Sequence, residues 1–145
     1  MSDLKISSRF TVAVHILSLV KIESNQTLTS AYIAGSVNTN SVVIRRLISK
    51  LKQADLIETH QGSGGIQLLK PLSDITLLDV YKAVEVVDEG ELFQMHEDTN
   101  INCVVGANIQ SVLEIVLLRA QDAMETVLKN VTMEDIVSGI LQENG

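Results

Sequence analysis

The run Asn40-Ser41-Val42-Val43-Ile44-Arg45-Arg46-Leu47-Ile48-Ser49-Lys50-Leu51-Lys52-Gln53 decides how the rest of the chain is read. Apolar residues at 44, 47, 48 and 51 share one helical stripe, while Val42, Arg45, Arg46, Ser49 and Lys52 lie off it. The predicted helix packs on one side and carries positive charge on the other. After it, Leu56 to His60 and Ile66 to Leu69 read as two short strands. Between them Gly62-Ser63-Gly64-Gly65 suits a tight connection, because glycine adopts positive φ without steric cost. A helix, then strand, glycine turn and strand, is the outline of a winged helix, and nucleic acid is the first partner to consider.

Upstream, Leu28 to Val37 reads as a short helix, with Thr29 or Ser30 as its N-cap and Gly35 placed to end it in a left-handed turn. Val37 to Thr39 is a short turn, and Asn40 caps the next helix. Two helices this close make a helix-turn-helix. In that geometry the second helix offers its N-terminal residues to base edges in the major groove, while the first crosses the phosphate backbone. The candidate DNA contacts are therefore Thr29, Ser30, Asn38, Thr39, Asn40, Ser41, Val42, Arg45 and Arg46, against the alternative of a solvated helix face. Arginine suits the role because its planar fork pairs with guanine O6 and N7 or clamps a phosphate.

In the predicted wing, His60, Gln61, Gly62 and Ser63 are placed to approach the DNA backbone or the minor groove, and the alternative is an ordinary hairpin turn. A phosphate-cradling nucleotide loop would need a Lys and a Ser or Thr opening a helix, whereas Ile66 to Leu69 continues as a strand. Leu4 to Ile22 contains no proline or glycine and reads as a buried first helix, capped by Ser7 or Ser8. Arg9 in its first turn either reaches a phosphate or sits in solvent.

Downstream, Pro71 breaks the strand and Ile75 to Val84 reads as a helix packing behind the wing. Asp88 to Asn102 is polar, acidic and without a period, so a loop is expected. Val104 to Val131 then repeats apolar residues at 109, 113, 116, 120, 123 and 127, the alternating steps of a heptad seam. A helix of that length spans about 40 Å at about 1.5 Å per residue, and a homodimer through the stretch around Ile109 to Val131 is the economical explanation. Thr132 to Asp135 looks like the capped start of a last helix, ending near Gly139 or at Ile140-Leu141. The expected fold is mainly α: an α+β winged helix-turn-helix with a two-stranded wing over residues 1–84, then a loop, a long C-terminal dimerisation helix and a last helix over 85–145.

The net charge of -7 weighs against a DNA binder until its distribution is considered. Through Lys70 there are eight basic residues against four acidic ones; from Pro71 onward there are three against fourteen. A mildly basic front is joined to an acidic back, and an acidic module held away from DNA costs little because cellular salt screens charge beyond about 8 Å. No run of 18 uncharged apolar residues and no apolar signal core occurs, so a cytoplasmic protein without membrane contact is expected. The single cysteine, Cys103, forms no internal disulfide and cannot alone fill a zinc or iron-sulfur site. No metal or cofactor is expected.

The chain resembles the bacterial Rrf-two family of winged-helix transcriptional regulators. The resemblance is carried by Lys5 to Phe10, Ser30 with Ile33-Ala34, Val37 to Leu47, Leu51 to Ile57, Gly62 to Leu68, Ile75 to Val80 and the long C-terminal helix. It implies a homodimer that binds double-stranded promoter DNA, most often as a repressor. Departures are Ser41 where relatives commonly have a proline, Asp55 where a glycine is frequent, and Gln61 and Ile66 where the wing often has Arg and Tyr. Cluster-binding relatives use three cysteines at the start of the long helix, and this chain has only Cys103 there. Asn102 to Gln110 resembles a clusterless branch.

Cys103 remains a candidate redox sensor, because a thiol at a helix N-terminus can have a lowered pKa; the alternative is a small half-buried residue with no signalling role. His96 is a candidate neighbour in a metal or effector pocket, or a solvated loop histidine. Two rival functions follow from the same residues. One is a winged-helix interaction module that no longer binds DNA; the other is a thiol enzyme, which would need a base near Cys103. The effector, if there is one, is not legible.

Overall fold

A computed structural model describes residues 8–24, 27–60, 65–85 and 100–144. In chain order the elements are α1 (Ser8–Ile22), α2 (Ser30–Val37), α3 (Ser41–Gln53), β1 (Ile57–His60), β2 (Gly65–Leu68), a 3-10 turn (Leu72–Asp74), α4 (Leu77–Val84), α5 (Val104–Lys129) and α6 (Met133–Asn144). They fall into two units: residues 1–86 with 128–145, and residues 87–127.

The first unit is built on α1, whose Ala13, Ile16, Leu17, Leu19 and Val20 are all buried. An apolar surface this broad suits a central helix, and α1 touches α2, α3, α4, α6 and β2. α2 begins at Thr29, whose hydroxyl accepts the Tyr32 N–H at 3.0 Å. It ends at Asn38 in the left-handed region, φ 64°. The expected stop at Gly35 is therefore corrected: Gly35 lies inside the helix. Val37, one turn beyond the buried Ile33, packs against the core, and ending at Gly35 would remove that contact. Asparagine tolerates the left-handed turn better than most side chains.

Asn40 then caps α3, its side-chain oxygen accepting the Val43 N–H at 3.1 Å. Ile44, Leu47 and Leu51 are fully buried and Ile48 packs against them, which is the expected stripe. The helix is closed by Asp55 at φ 61°, with the Leu56 N–H reaching back to the Leu51 carbonyl at 3.1 Å. This left-handed position is one that glycine takes without steric cost. β1 and β2 pair antiparallel in the register Ile57 to Leu68 through His60 to Gly65. Gly65 has φ +63°, and a Cβ there would stand 3.3 Å from the Leu28 amide nitrogen.

Two reciprocal capping boxes close the unit. Thr76 and Asp79 start α4, with bonds of 3.1 and 3.0 Å. Thr132 and Asp135 start α6 in the same way, at 3.1 and 2.9 Å. Between the two, Thr76 and Thr132 form an antiparallel bridge, with Leu77 N–H donating to the Val131 carbonyl and Met133 N–H to the Ile75 carbonyl, both at 2.8 Å. The last helix runs on to Asn144 rather than ending near Gly139 or Leu141. Its Met133 and Val137 join the core around α1, so α6 is grouped with residues 1–86, whereas a boundary at 84/85 assigns it to the second half.

The second unit is described from Asn100. Its turn is held by the Cys103 N–H on the Asn100 carbonyl at 3.2 Å and the Asn102 N–H on the Asn100 side chain at 3.0 Å. Gly106 lies against that turn so closely that a Cβ would fall 2.1 Å from the Asn100 carbonyl oxygen. α5 then runs for 26 residues, and none of its apolar side chains is fully buried. The loop expected over Asp88 to Asn102 falls mostly outside the described residues.

Candidate nucleic-acid interface

The sequence Thr29 to Arg46 folds into two capped helices joined by Asn38 and Thr39 because each helix start has its own side-chain acceptor. Thr29 and Asn40 each satisfy one amide that the helix leaves unbonded. The buried Ile44, Leu47 and Leu51 fix α3 about its axis, so the remaining face is determined. That face carries exposed Val42, Arg45, Arg46 and Ser49, with Ser41 half-exposed at its start. No acidic residue lies within α3.

Among the described residues neither Arg45 nor Arg46 has an ion pair or a hydrogen-bond partner. Two adjacent guanidinium groups left in water repel one another weakly and gain nothing from the fold. They are free to meet an acceptor of fixed geometry, such as a guanine edge or a phosphate. Val42, 46% exposed beside them, offers a methyl-sized apolar contact of the kind that thymine can receive.

The other candidates are placed differently. Lys52 donates to the Thr59 hydroxyl at 3.0 Å, tying the end of α3 to β1. His60 bonds Glu58 at 3.1 Å and Gln67 at 3.2 Å across the hairpin. The wing strands therefore use their polar side chains on one another. Gln61, Gly62 and Ser63 lie outside the described residues. Arg9, expected at a phosphate or in solvent, is in an ion pair with Glu85 at 3.2 Å, and the Glu85 side chain is only 5% exposed. That pair joins the first turn of α1 to the end of α4, and 76 positions of sequence separate its members. Glu85 is a partner of Arg9 that no local pattern reveals.

Sequence reading also missed Tyr32, whose hydroxyl donates to the Glu23 carboxylate. That bond, with some burial and the Glu23 charge, holds the phenol pKa above its ordinary value. It ties the exposed Tyr32 of α2 to the segment that follows α1.

Cys103 is exposed at the start of α5. The backbone N–H groups of Gly106 and Val105 point at its sulfur and lower the thiol pKa, opposed by slight desolvation. Hydrogen bonds to the charged form are a known route to a more reactive thiolate. His96 lies outside the described residues.

A helix-turn-helix whose second helix exposes two arginines, followed by a two-stranded wing, defines a winged helix-turn-helix DNA-binding transcriptional regulator. The chain belongs to the Rrf2 family, described as iron-dependent transcriptional regulators, which matches residues 6–139. It is 44% identical over 133 residues to YwnA of Bacillus subtilis (strain 168), whose name places it among HTH-type transcriptional regulators; the match covers 92% of this chain and 97% of YwnA. A crystal structure described as that of a DNA-binding protein is 40% identical, with a TM-score of 0.70, covering 89% of this chain and 98% of that one. The structure of CymR, the global cysteine regulator of B. subtilis, is 25% identical, with a TM-score of 0.66, covering 93% of this chain and 97% of CymR.

Iron dependence in the family raises the question of a cluster. Iron-sulfur clusters are held by several cysteine thiolates, and this chain contains one cysteine in all. Among the described residues no three His, Cys, Asp or Glu side chains converge on a point where a metal could sit. The donor set does not fit a cluster. Among the described residues, too, no helix is long and apolar enough to cross a membrane.

Proposed function

We propose that this protein is a homodimeric, sequence-specific regulator, acting as a repressor, that reads promoter DNA by placing α3 of each subunit in a major groove. The observation that carries the reading is the pair Arg45 and Arg46, exposed and, among the described residues, unpaired on a helix fixed by its Asn40 cap and its buried stripe. Asn38, Thr39, Asn40 and Ser41 lie at the groove end of the helix, and Thr29 and Ser30 start the helix that crosses the backbone. The wing is a secondary contact, because His60 is engaged with Glu58 and Gln67. Arg9 reaches a phosphate only by loosening Glu85.

The second copy is supported by α5. Its Val112, Ile115, Val116 and Val127 are each more than half exposed, and apolar surface of that extent on one helix is covered in a stable soluble protein. The role is one of binding rather than catalysis. Of the histidines that a Cys103 nucleophile would need as a base, His15 bonds Ser36, His60 bonds the wing, and His96 lies outside the described residues. Redox control through Cys103 rests on its exposure and its lowered pKa.

Selection from a random duplex pool, with reduced and peroxide-treated protein in parallel, tests the reading. A palindrome enriched by the reduced protein is the expected result, and its loss on oxidation would assign the switch to Cys103. No enrichment in either state would favour an interaction module that keeps the winged fold without binding DNA.

A further inference from the structure

We infer that the first unit holds a binding site for a small aliphatic zwitterion, of the α-amino acid class, in the cavity between the end of α1, the chain leaving β2 and the start of α6. The cavity measures about 640 Å³, within the size range of small-molecule sites. None of its lining belongs to α2 or α3, so it is separate from the DNA-reading helix.

Its lining carries both signs of charge. Lys21, at the end of α1, and Lys70, just beyond β2, contribute two cations. Glu134 and Ser138, one helical turn apart on α6, contribute a carboxylate and a hydroxyl. Leu72 and Val137, 8% and 6% exposed, form an apolar floor with the half-buried Leu68. Among the described residues none of the three charged groups is in an ion pair, although all three line the same cavity. Two cations and an anion that line one cavity without an ion pair between them among the described residues leave room for a dipolar molecule. A carboxylate meets Lys21 and Lys70, an ammonium meets Glu134 and the Ser138 hydroxyl, and an aliphatic side chain lies on the floor. A simple anion would leave Glu134 unmatched, and a simple amine would leave both lysines unmatched, so each lacks half of the recognition.

The position also gives such a ligand a mechanical consequence. It would join the exit of β2, and hence the wing, to the first turn of α6. Action as an effector rests on the regulator reading above; binding does not.

Isothermal titration calorimetry on the full chain tests the site, with L-leucine, L-isoleucine, L-valine and L-methionine as probes. The expected result is one-to-one binding of at least one of them. For that ligand, the analogues lacking the ammonium or the carboxylate (4-methylpentanoate and 3-methylbutylamine in the case of leucine) should bind at least tenfold more weakly. Lys70→Gln and Glu134→Gln should each weaken binding tenfold or more, and thermal melts of the ligand-free variants should match wild type because both side chains are exposed. The inference is overturned if none of the four binds, if the deaminated analogue binds as tightly, or if both variants bind as the wild type does. Failure of the ligand-free chain to bind any duplex would sink the regulator reading and leave this result standing.

Discussion

α3 and α5 are both amphipathic, yet they leave opposite surfaces in water. α3, 13 residues long, buries Ile44, Leu47 and Leu51 completely and exposes Arg45 and Arg46. α5, twice that length, buries none of its apolar side chains completely and exposes several valines and an isoleucine. The first helix is satisfied by its own chain, so its free face is charged and suits a polyanion. The second is not satisfied, so its free face is apolar and suits another apolar helix. On the proposed reading, DNA goes to the first region and a second copy to the other.

The largest effects should come from forcing either helix against its role. Leu113→Asp with Val116→Asp places charges on the exposed seam of α5. If a second copy covers that seam, burying them costs about 3 to 5 kcal/mol, and sedimentation should show a monomer with an unchanged helical signal. A dimer that survives the change would move the interface elsewhere. Ile44→Ala attacks the buried side of α3 and should lower unfolding free energy by about 2 to 5 kcal/mol, measured by urea denaturation. A loss below 1 kcal/mol would mean that the recognition helix is not anchored as described.

Smaller effects sharpen the comparison at the two helix ends. Asp55→Gly removes a side chain from a positive-φ position at the end of α3 and should raise stability by up to about 1 kcal/mol, with the added flexibility of the unfolded chain offsetting part of the gain. A decrease in melting temperature would show that the Asp55 side chain contributes something the backbone angle does not explain. At the start of α5, Cys103 should leave stability unchanged and reveal itself only in reactivity. Its pKa is lowered, so more thiolate is present at a given pH, and the pH profile of iodoacetamide labelling should rise at lower pH than that of a free cysteine. Gly106→Ala, which drives a Cβ into the Asn100 carbonyl, should move that profile back toward the ordinary thiol.

Much of this was legible in the sequence because it depends on short-range periodicity. The stripe at 44, 47, 48 and 51, the Asn40 cap and the paired strands around the glycine strip need no knowledge of distant residues. The α2 terminus was not legible, because two residues can adopt the left-handed turn and packing of Val37 selects Asn38 over Gly35. The length of α6 was underestimated because Gly139 reads as a stop, whereas the helix runs through it to Asn144. Arg9 shows the limit most clearly: its place in the first turn of α1 left phosphate and solvent both open, and its ion pair with Glu85 follows from the packing of α1 on α4. The cavity lined by Lys21, Lys70 and Glu134 has the same origin, three residues from distant parts of the chain brought together by the Thr76–Thr132 bridge and the return of α6.

The central claim is that α3 reads DNA through Arg45. Fluorescence anisotropy on the duplex enriched by selection, and on a scrambled duplex, should be measured for wild type and Arg45→Ala over a range of salt. The account predicts that wild-type affinity falls steeply as salt rises, and that Arg45→Ala loses about 1 to 3 kcal/mol on the enriched duplex and little on the scrambled one. Equal affinities of the two proteins for the enriched duplex would contradict it.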